Sequence, residues 1–172
     1  MLLASSRSLF FMAFIAGALA LSASLYLEYA VGLQLCSLSM VQRFFLMVFA
    51  GICLIAAVHG PKRSGCCVYW LLSIFSCLGG LVTAWRHVLL QDAPPARWLE
   101  CSPGLEYMLG NMSWWCVLKR VFQGTADCAQ ITWTLFDLSI PEWSLLFFVG
   151  MTILGVVQLL HLLRFTCRKA AR

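Results

Sequence analysis

Charge is what this sequence has least of. Only 11% of its 172 residues are Asp, Glu, Lys or Arg, against 62% hydrophobic residues. A soluble domain of this length needs a charged surface that so few ionic residues cannot build. The formal charge is +5, yet the basic residues form no stripe interleaved with aromatics, which argues against nucleic acid as a partner. The chain has no Gly-rich phosphate loop, no Ser-His-Asp set at a supporting spacing, and no H-x-x-x-H pair. No nucleotide site, hydrolase triad or metal site is therefore expected. What remains is the membrane class.

Long apolar runs are present. A helix needs about 20 residues to cross a bilayer, and four stretches supply them, at about 9–27, 39–59, 66–88 and 143–163. Ser139-Ile140-Pro141-Glu142, just before the last, is a capping-box signature. Arg7, Lys62, Arg63, Arg164, Arg168, Lys169 and Arg172 fall on one side of the spans with no acid among them. All the acids (Glu28, Asp92, Glu100, Glu106, Asp127, Asp137 and Glu142) fall on the other. Arg97, Lys119 and Arg120 share that second side but lie inside a long loop. Basic residues near span ends mark the cytoplasmic face, so both termini are expected there. The other face carries a short loop, about 28–38, and a long one, about 89–142. The first span is longer than the apolar core of a signal peptide and reads as a retained helix.

Nine cysteines are distributed unevenly. Cys53 and Cys77 lie inside spans, and Cys66, Cys67 and Cys167 at the expected cytoplasmic ends, where a thiol acts as a small hydrophobe or a lipidation site. Cys36, Cys101, Cys116 and Cys128 lie on the expected oxidising side. Cys101 and Cys128 each sit in a turn-like stretch, and a bridge between them would remove roughly 3–4 kcal/mol of loop entropy. Such a bridge serves either to hold the loop or to exchange. Between them, Leu105, Met108, Leu109, Met112 and Cys116 recur at helical spacing, the pattern of a short helix lying in the membrane interface.

Leu35-Cys36-Ser37-Leu38-Ser39-Met40-Val41-Gln42-Arg43 opens the second span. A helix starting near Cys36 would set its thiol against the positive end of the helix dipole, favouring thiolate. Positions 36, 39 and 43 then share one face. Arg43 is either a functional cation just inside the bilayer or a side chain snorkelling to the headgroups. At the same end of the third span stand Arg86, His87 and Gln91.

This arrangement resembles the DsbB family, the bacterial inner-membrane disulfide bond formation protein B. The resemblance runs from about Leu9 to Leu163 and rests on the four spans, the C-x-L-x-x-x-Q-R stretch, the histidine ending the third span and the loop cysteines. It implies an antiparallel four-transmembrane-helix bundle with a short interfacial helix in the long second periplasmic loop. It also implies a thiol:quinone oxidoreductase that reoxidises a periplasmic thioredoxin-fold dithiol oxidase (DsbA-like) and passes electrons to ubiquinone or menaquinone. Carried over by position, Cys101 forms the mixed disulfide with the partner and Cys128 is its mate. Cys36 is the first cysteine of the first-loop pair, and Arg43 and His87 are quinone-binding.

One departure stands out. Where the family has the second cysteine of a C-x-x-C pair, this chain has Ser39, and the proline common before the first cysteine is Leu35. A serine can form no disulfide and supplies no thiolate. Three accounts fit: a Cys→Ser substitution made by design, a natural paralogue of altered activity, or a site in which Cys36 alone faces the quinone and Cys116 resolves the loop. Outside the family, a four-helix scaffold of tetraspanin or claudin type with a structural loop disulfide leaves Cys36 and Arg43 without a role. An enzyme of vitamin K epoxide reductase type would require a later C-x-x-C, which is absent.

Overall fold

The computed structural model describes residues 2–32, 36–92, 110, 113, 115–116, 128 and 133–170. Four long helices dominate them: α1 (Leu2–Tyr29), α2 (Ser37–His59), α3 (Arg63–Gln91) and α4 (Ile140–Ala170). Each contains a stretch long and apolar enough to cross a membrane. The helices outrun the apolar segments because a charge ends a hydrophobic run without breaking a backbone hydrogen bond. Arg7 and Arg63 show how such ends are used. Arg7 Nε donates to the Ala57 carbonyl (3.1 Å) and Arg63 to that of Leu162 (2.8 Å), each tying its helix to the carbonyl end of a neighbour.

Local chemistry sets the helix boundaries. α2 stops at Gly60, whose left-handed backbone (φ 58°) returns its N–H to the Ala56 carbonyl at 3.1 Å, and Pro61 follows. α4 starts on the expected cap, with Glu142 Oε2 accepting from the Ser139 backbone N–H (2.6 Å) and hydroxyl (2.8 Å). The Ser139 hydroxyl also lies 2.9 Å from the Gln91 side-chain amide, which joins the end of α3 to the start of α4. Just before α4 the chain forms a hairpin of β1 (Thr134–Leu135) and β2 (Leu138–Ser139), an addition to the all-α expectation. Both turn residues, Phe136 and Asp137, have positive φ (54° and 61°), as a type I′ turn requires. Trp143 Nε1 donates to the Leu135 carbonyl (3.1 Å) and pins the hairpin to α4.

The helices pack antiparallel in chain order, α1 on α2, α2 on α3 and α3 on α4. Phe10 stacks on Trp70 with centroids 4.4 Å apart, and Phe49 meets Phe147 edge-on. Many large apolar side chains face outward, among them Phe11, Phe44, Phe75 and Ile153, as a lipid-facing surface should. Small residues let membrane helices approach closely: Gly17 lies against Ala50 and Phe49, Gly79 against Phe45, Gly80 against Phe148 and Gly155 against Ile74. Gly150 has open space instead. A side chain at position 80 would have to displace the buried Phe148 ring. Gly80→Leu is expected to lower stability by about 1–3 kcal/mol or prevent folding, and Gly150→Leu to be near neutral, as read by thermal unfolding in detergent.

The interfacial helix expected between Leu105 and Cys116 lies mostly outside the described residues. Trp115 and Cys116 are helical and exposed.

Candidate functional site

α2 begins one residue after Cys36, and that single residue organises the site. Cys36 is the N-cap, with an extended backbone (φ −79°, ψ 162°), so helical spacing does not carry its side chain onto the face of Ser39 and Arg43. It turns instead toward α3, where its Sγ lies 3.4 Å from His87 Nε2. The sulfur atoms of Cys36 and Cys128 and a ring nitrogen of His87 all lie within 4.8 Å of one another, and all three residues are buried. A segment before α2, the last turns of α3 and the long loop thus converge at one point.

Gln42 completes the cluster. It is buried, and its amide lies 3.2 Å from His87 Nδ1. With Gln42 Nε2 donating to Nδ1, the remaining ring proton is on Nε2 and points at the Cys36 sulfur. The expectation of a thiolate at Cys36 needs correction here. The hydrogen bond with Cys128, and then burial, push the Cys36 thiol well above its ordinary range. The backbone N–H groups of Ser39 and Leu38 pull the other way, as a helix N-terminus should, but do not prevail.

Ser39 and Arg43 belong to a different compartment. Both line an apolar cavity of about 330 Å³ bounded by α1, α2, α4 and the hairpin, with Ala20 and Ala23 on one wall and Trp143 and Phe147 on another. Gln42 lines it too and is the one residue shared with the cysteine cluster, whereas Cys36 and His87 do not line it. Arg43 does not stand isolated. It pairs with Glu28 at the end of α1, while its Nε and Nη2 donate to the Ser24 hydroxyl and carbonyl (3.0 Å each). A guanidinium has five N–H donors, so donors remain for a guest in the cavity. A void of this size, mostly apolar with a few convergent polar groups, suits the head of an apolar ligand.

Of the residues expected to act, Cys36, Cys128 and His87 are brought together, Arg43 and Ser39 share the cavity, and Cys101 lies outside the described residues. Three further residues carry the geometry without having been singled out by chemistry: Gln42, Glu28 and Ser24. Gln42 offered a signal, since an amide inside an apolar span must find a partner. Glu28 offered none, because the first loop was expected to begin there.

The chain matches the family model described as "Disulfide bond formation protein DsbB" over residues 6–158. It is 59% identical to "Disulfide bond formation protein B 2" of Pseudomonas fluorescens (strain Pf0-1) over 161 residues, covering 94% of this chain and 88% of the relative. It is 46% identical to "Disulfide bond formation protein B 1" of Pseudomonas aeruginosa over 92% of this chain and 98% of that protein. With "Disulfide bond formation protein B" of Methylococcus capsulatus it shares 39% identity over 92% and 96%. On this match, and on its four helices long and apolar enough to span a membrane, the chain belongs to the DsbB family of disulfide-forming membrane proteins.

Proposed function

We propose that the chain is a thiol:quinone oxidoreductase whose first stage, exchange with a soluble dithiol, is intact, and whose last stage, delivery of electrons to the quinone, is slow. The observation that carries this reading is the division of the site. The sulfurs meet at Cys36 and Cys128, while the cavity that would receive a quinone head group meets the second-cysteine position at Ser39, a hydroxyl.

On this account a DsbA-like, thioredoxin-fold dithiol attacks a Cys101–Cys128 disulfide and leaves as the oxidised partner, with two thiols left in the loop. Cys128 then lies beside Cys36. A quinone, ubiquinone or menaquinone, takes two electrons and two protons when the pair Cys36–Cys128 becomes a disulfide. The Cys101 thiol attacks that disulfide, re-forming Cys101–Cys128 and freeing Cys36. In the tautomer whose Nδ1–H donates to the Gln42 amide oxygen, the His87 Nε2 lone pair faces the Cys36 sulfur and is placed to receive its proton. Arg43 directs spare N–H donors at developing negative charge in the cavity. The basic residues at one end of the bundle support an inner-membrane orientation with both termini cytoplasmic and the cysteine cluster periplasmic.

The test is a reaction of the oxidised chain with excess reduced partner and a short-chain quinone. One equivalent of partner should be oxidised quickly, followed by slow bleaching of the quinone. Full-speed bleaching from the first turnover would remove Ser39 as the obstacle, and no partner oxidation at all would remove the reading.

Glu28 gives a separate prediction. Its carboxylate holds Arg43 over the cavity, so Glu28→Gln exchanges a charge-assisted hydrogen bond for a weaker one. Quinone affinity should fall by about three- to tenfold, equivalent to roughly 1 kcal/mol. Quenching of the cavity tryptophans Trp133 and Trp143 by added quinone measures it without requiring turnover.

A further inference from the structure

We propose that the reduced chain binds a thiophilic divalent cation of the zinc class at Cys36, Cys128 and His87, and that this site competes with the disulfide the two cysteines form. The three side chains come from separate segments, which is why no ligand spacing is visible in the sequence, yet their donor atoms lie within 4.8 Å of one another. Tetrahedral zinc places sulfur at about 2.3 Å and imidazole nitrogen at about 2.0–2.1 Å, so its donors stand roughly 3.6–3.8 Å apart. Cys36 Sγ and His87 Nε2, at 3.4 Å, are already close to that separation. The remaining edges need to close by roughly 1 Å at most, within the range of a side-chain rotation.

The donor set selects the metal. Two thiolates and an imidazole, with no carboxylate joining them among the described residues, favour zinc over magnesium or calcium. Three protein ligands leave the fourth position to water. His87 also has the outer partner that metal-binding histidines commonly use. Turning the Gln42 amide lets Nδ1–H donate to its oxygen, and the Nε2 lone pair then faces the sulfurs. On binding, two thiol protons pass to solvent, two metal–sulfur bonds and one metal–nitrogen bond form, and no electron moves. The disulfide form has no thiolates to offer, so only the reduced chain takes the ion, and a loaded chain has both sulfurs withdrawn from exchange. None of this depends on the partner or on quinone.

The experiment uses the full chain in detergent, reduced with a phosphine and titrated with Co²⁺ as a spectroscopic substitute for Zn²⁺. The expected result is thiolate-to-cobalt charge-transfer absorption and tetrahedral d–d bands that saturate at one ion per chain and vanish on adding Zn²⁺. Both should be lost in Cys36→Ser and Cys128→Ser, kept in Cys53→Ser, and absent from the oxidised chain. Gln42→Ala should weaken binding by about 10- to 100-fold. Bands that persist in Cys36→Ser, or no bands in the reduced chain, would overturn the proposal. Should a cluster variant fail to fold, alkylation of the unaltered chain decides. Zn²⁺ must then protect Cys36 and Cys128 together, and labelling of both at the metal-free rate would overturn the site.

Discussion

Ser39→Cys is expected to raise steady-state quinone reduction by at least about a hundredfold while leaving the first, stoichiometric exchange with the partner unchanged. The reason is chemical. The thiolate is the species that attacks and departs in disulfide chemistry, and a serine hydroxyl supplies none at neutral pH. The geometry supports the size of the effect. Cys36 is the N-cap of α2 and position 39 the third residue of the helix, the C-x-x-C register in which a disulfide can close across the first turn. Position 39 also lines the cavity beside Arg43, whereas Cys36 does not. A thiol restored there would connect the two compartments: disulfide-bonded to Cys36 on one side and exposed to the quinone head group on the other. Comparable rates for the two proteins would mean that Cys36 reaches the cavity by a motion of its own.

The second large effect separates the two cysteines of the cluster. Cys128→Ala is expected to abolish partner oxidation altogether, because the loop disulfide that the partner attacks cannot form. Cys36→Ala should retain a single equivalent of partner oxidation and lose everything after it, since Cys128 then has no first-loop sulfur to pair with. Quenched-flow counting of oxidised partner per chain reads the difference directly. Equal loss in both variants would argue that Cys36 is needed for the first exchange as well.

How far these residues could be read beforehand differs between fold and site. The four helices were legible because a bilayer demands long apolar runs, and this chain supplies four with charges only near their ends. The cap at Ser139 and Glu142 was legible for a similar reason, as a local pattern with a local cause. The hairpin was not. Its turn is Phe136-Asp137, without the Asn-Gly or Asp-Gly pair that usually marks positive φ at two successive residues.

In the site, helical spacing grouped Ser39 with Arg43 correctly and misplaced Cys36. The cause is one residue of register: the periodicity holds from Ser37 onward, and Cys36 has an extended backbone. The meeting of Cys36, His87 and Cys128 depends on how three segments pack, and no local pattern encodes it. Position alone makes Arg43 either a functional intramembrane cation or a snorkelling side chain; its attachment to Glu28 and Ser24 is a contact between α1 and α2 that neither helix announces alone. Gln42 belonged to the recognisable stretch and still went without a role, although it is the residue that touches both the histidine and the cavity.

In the proposed cycle Cys36 and Cys128 become a disulfide during turnover. The most direct measurement is peptide mapping of the chain after it has reacted with reduced partner and quinone, been quenched in acid and alkylated without reductant. A cross-linked peptide pair joining Cys36 to Cys128 is expected, accumulating as quinone is consumed and absent from Cys128→Ala. Sustained quinone consumption in which Cys36 is recovered only as an alkylated thiol, or only bridged to Cys116, would contradict it.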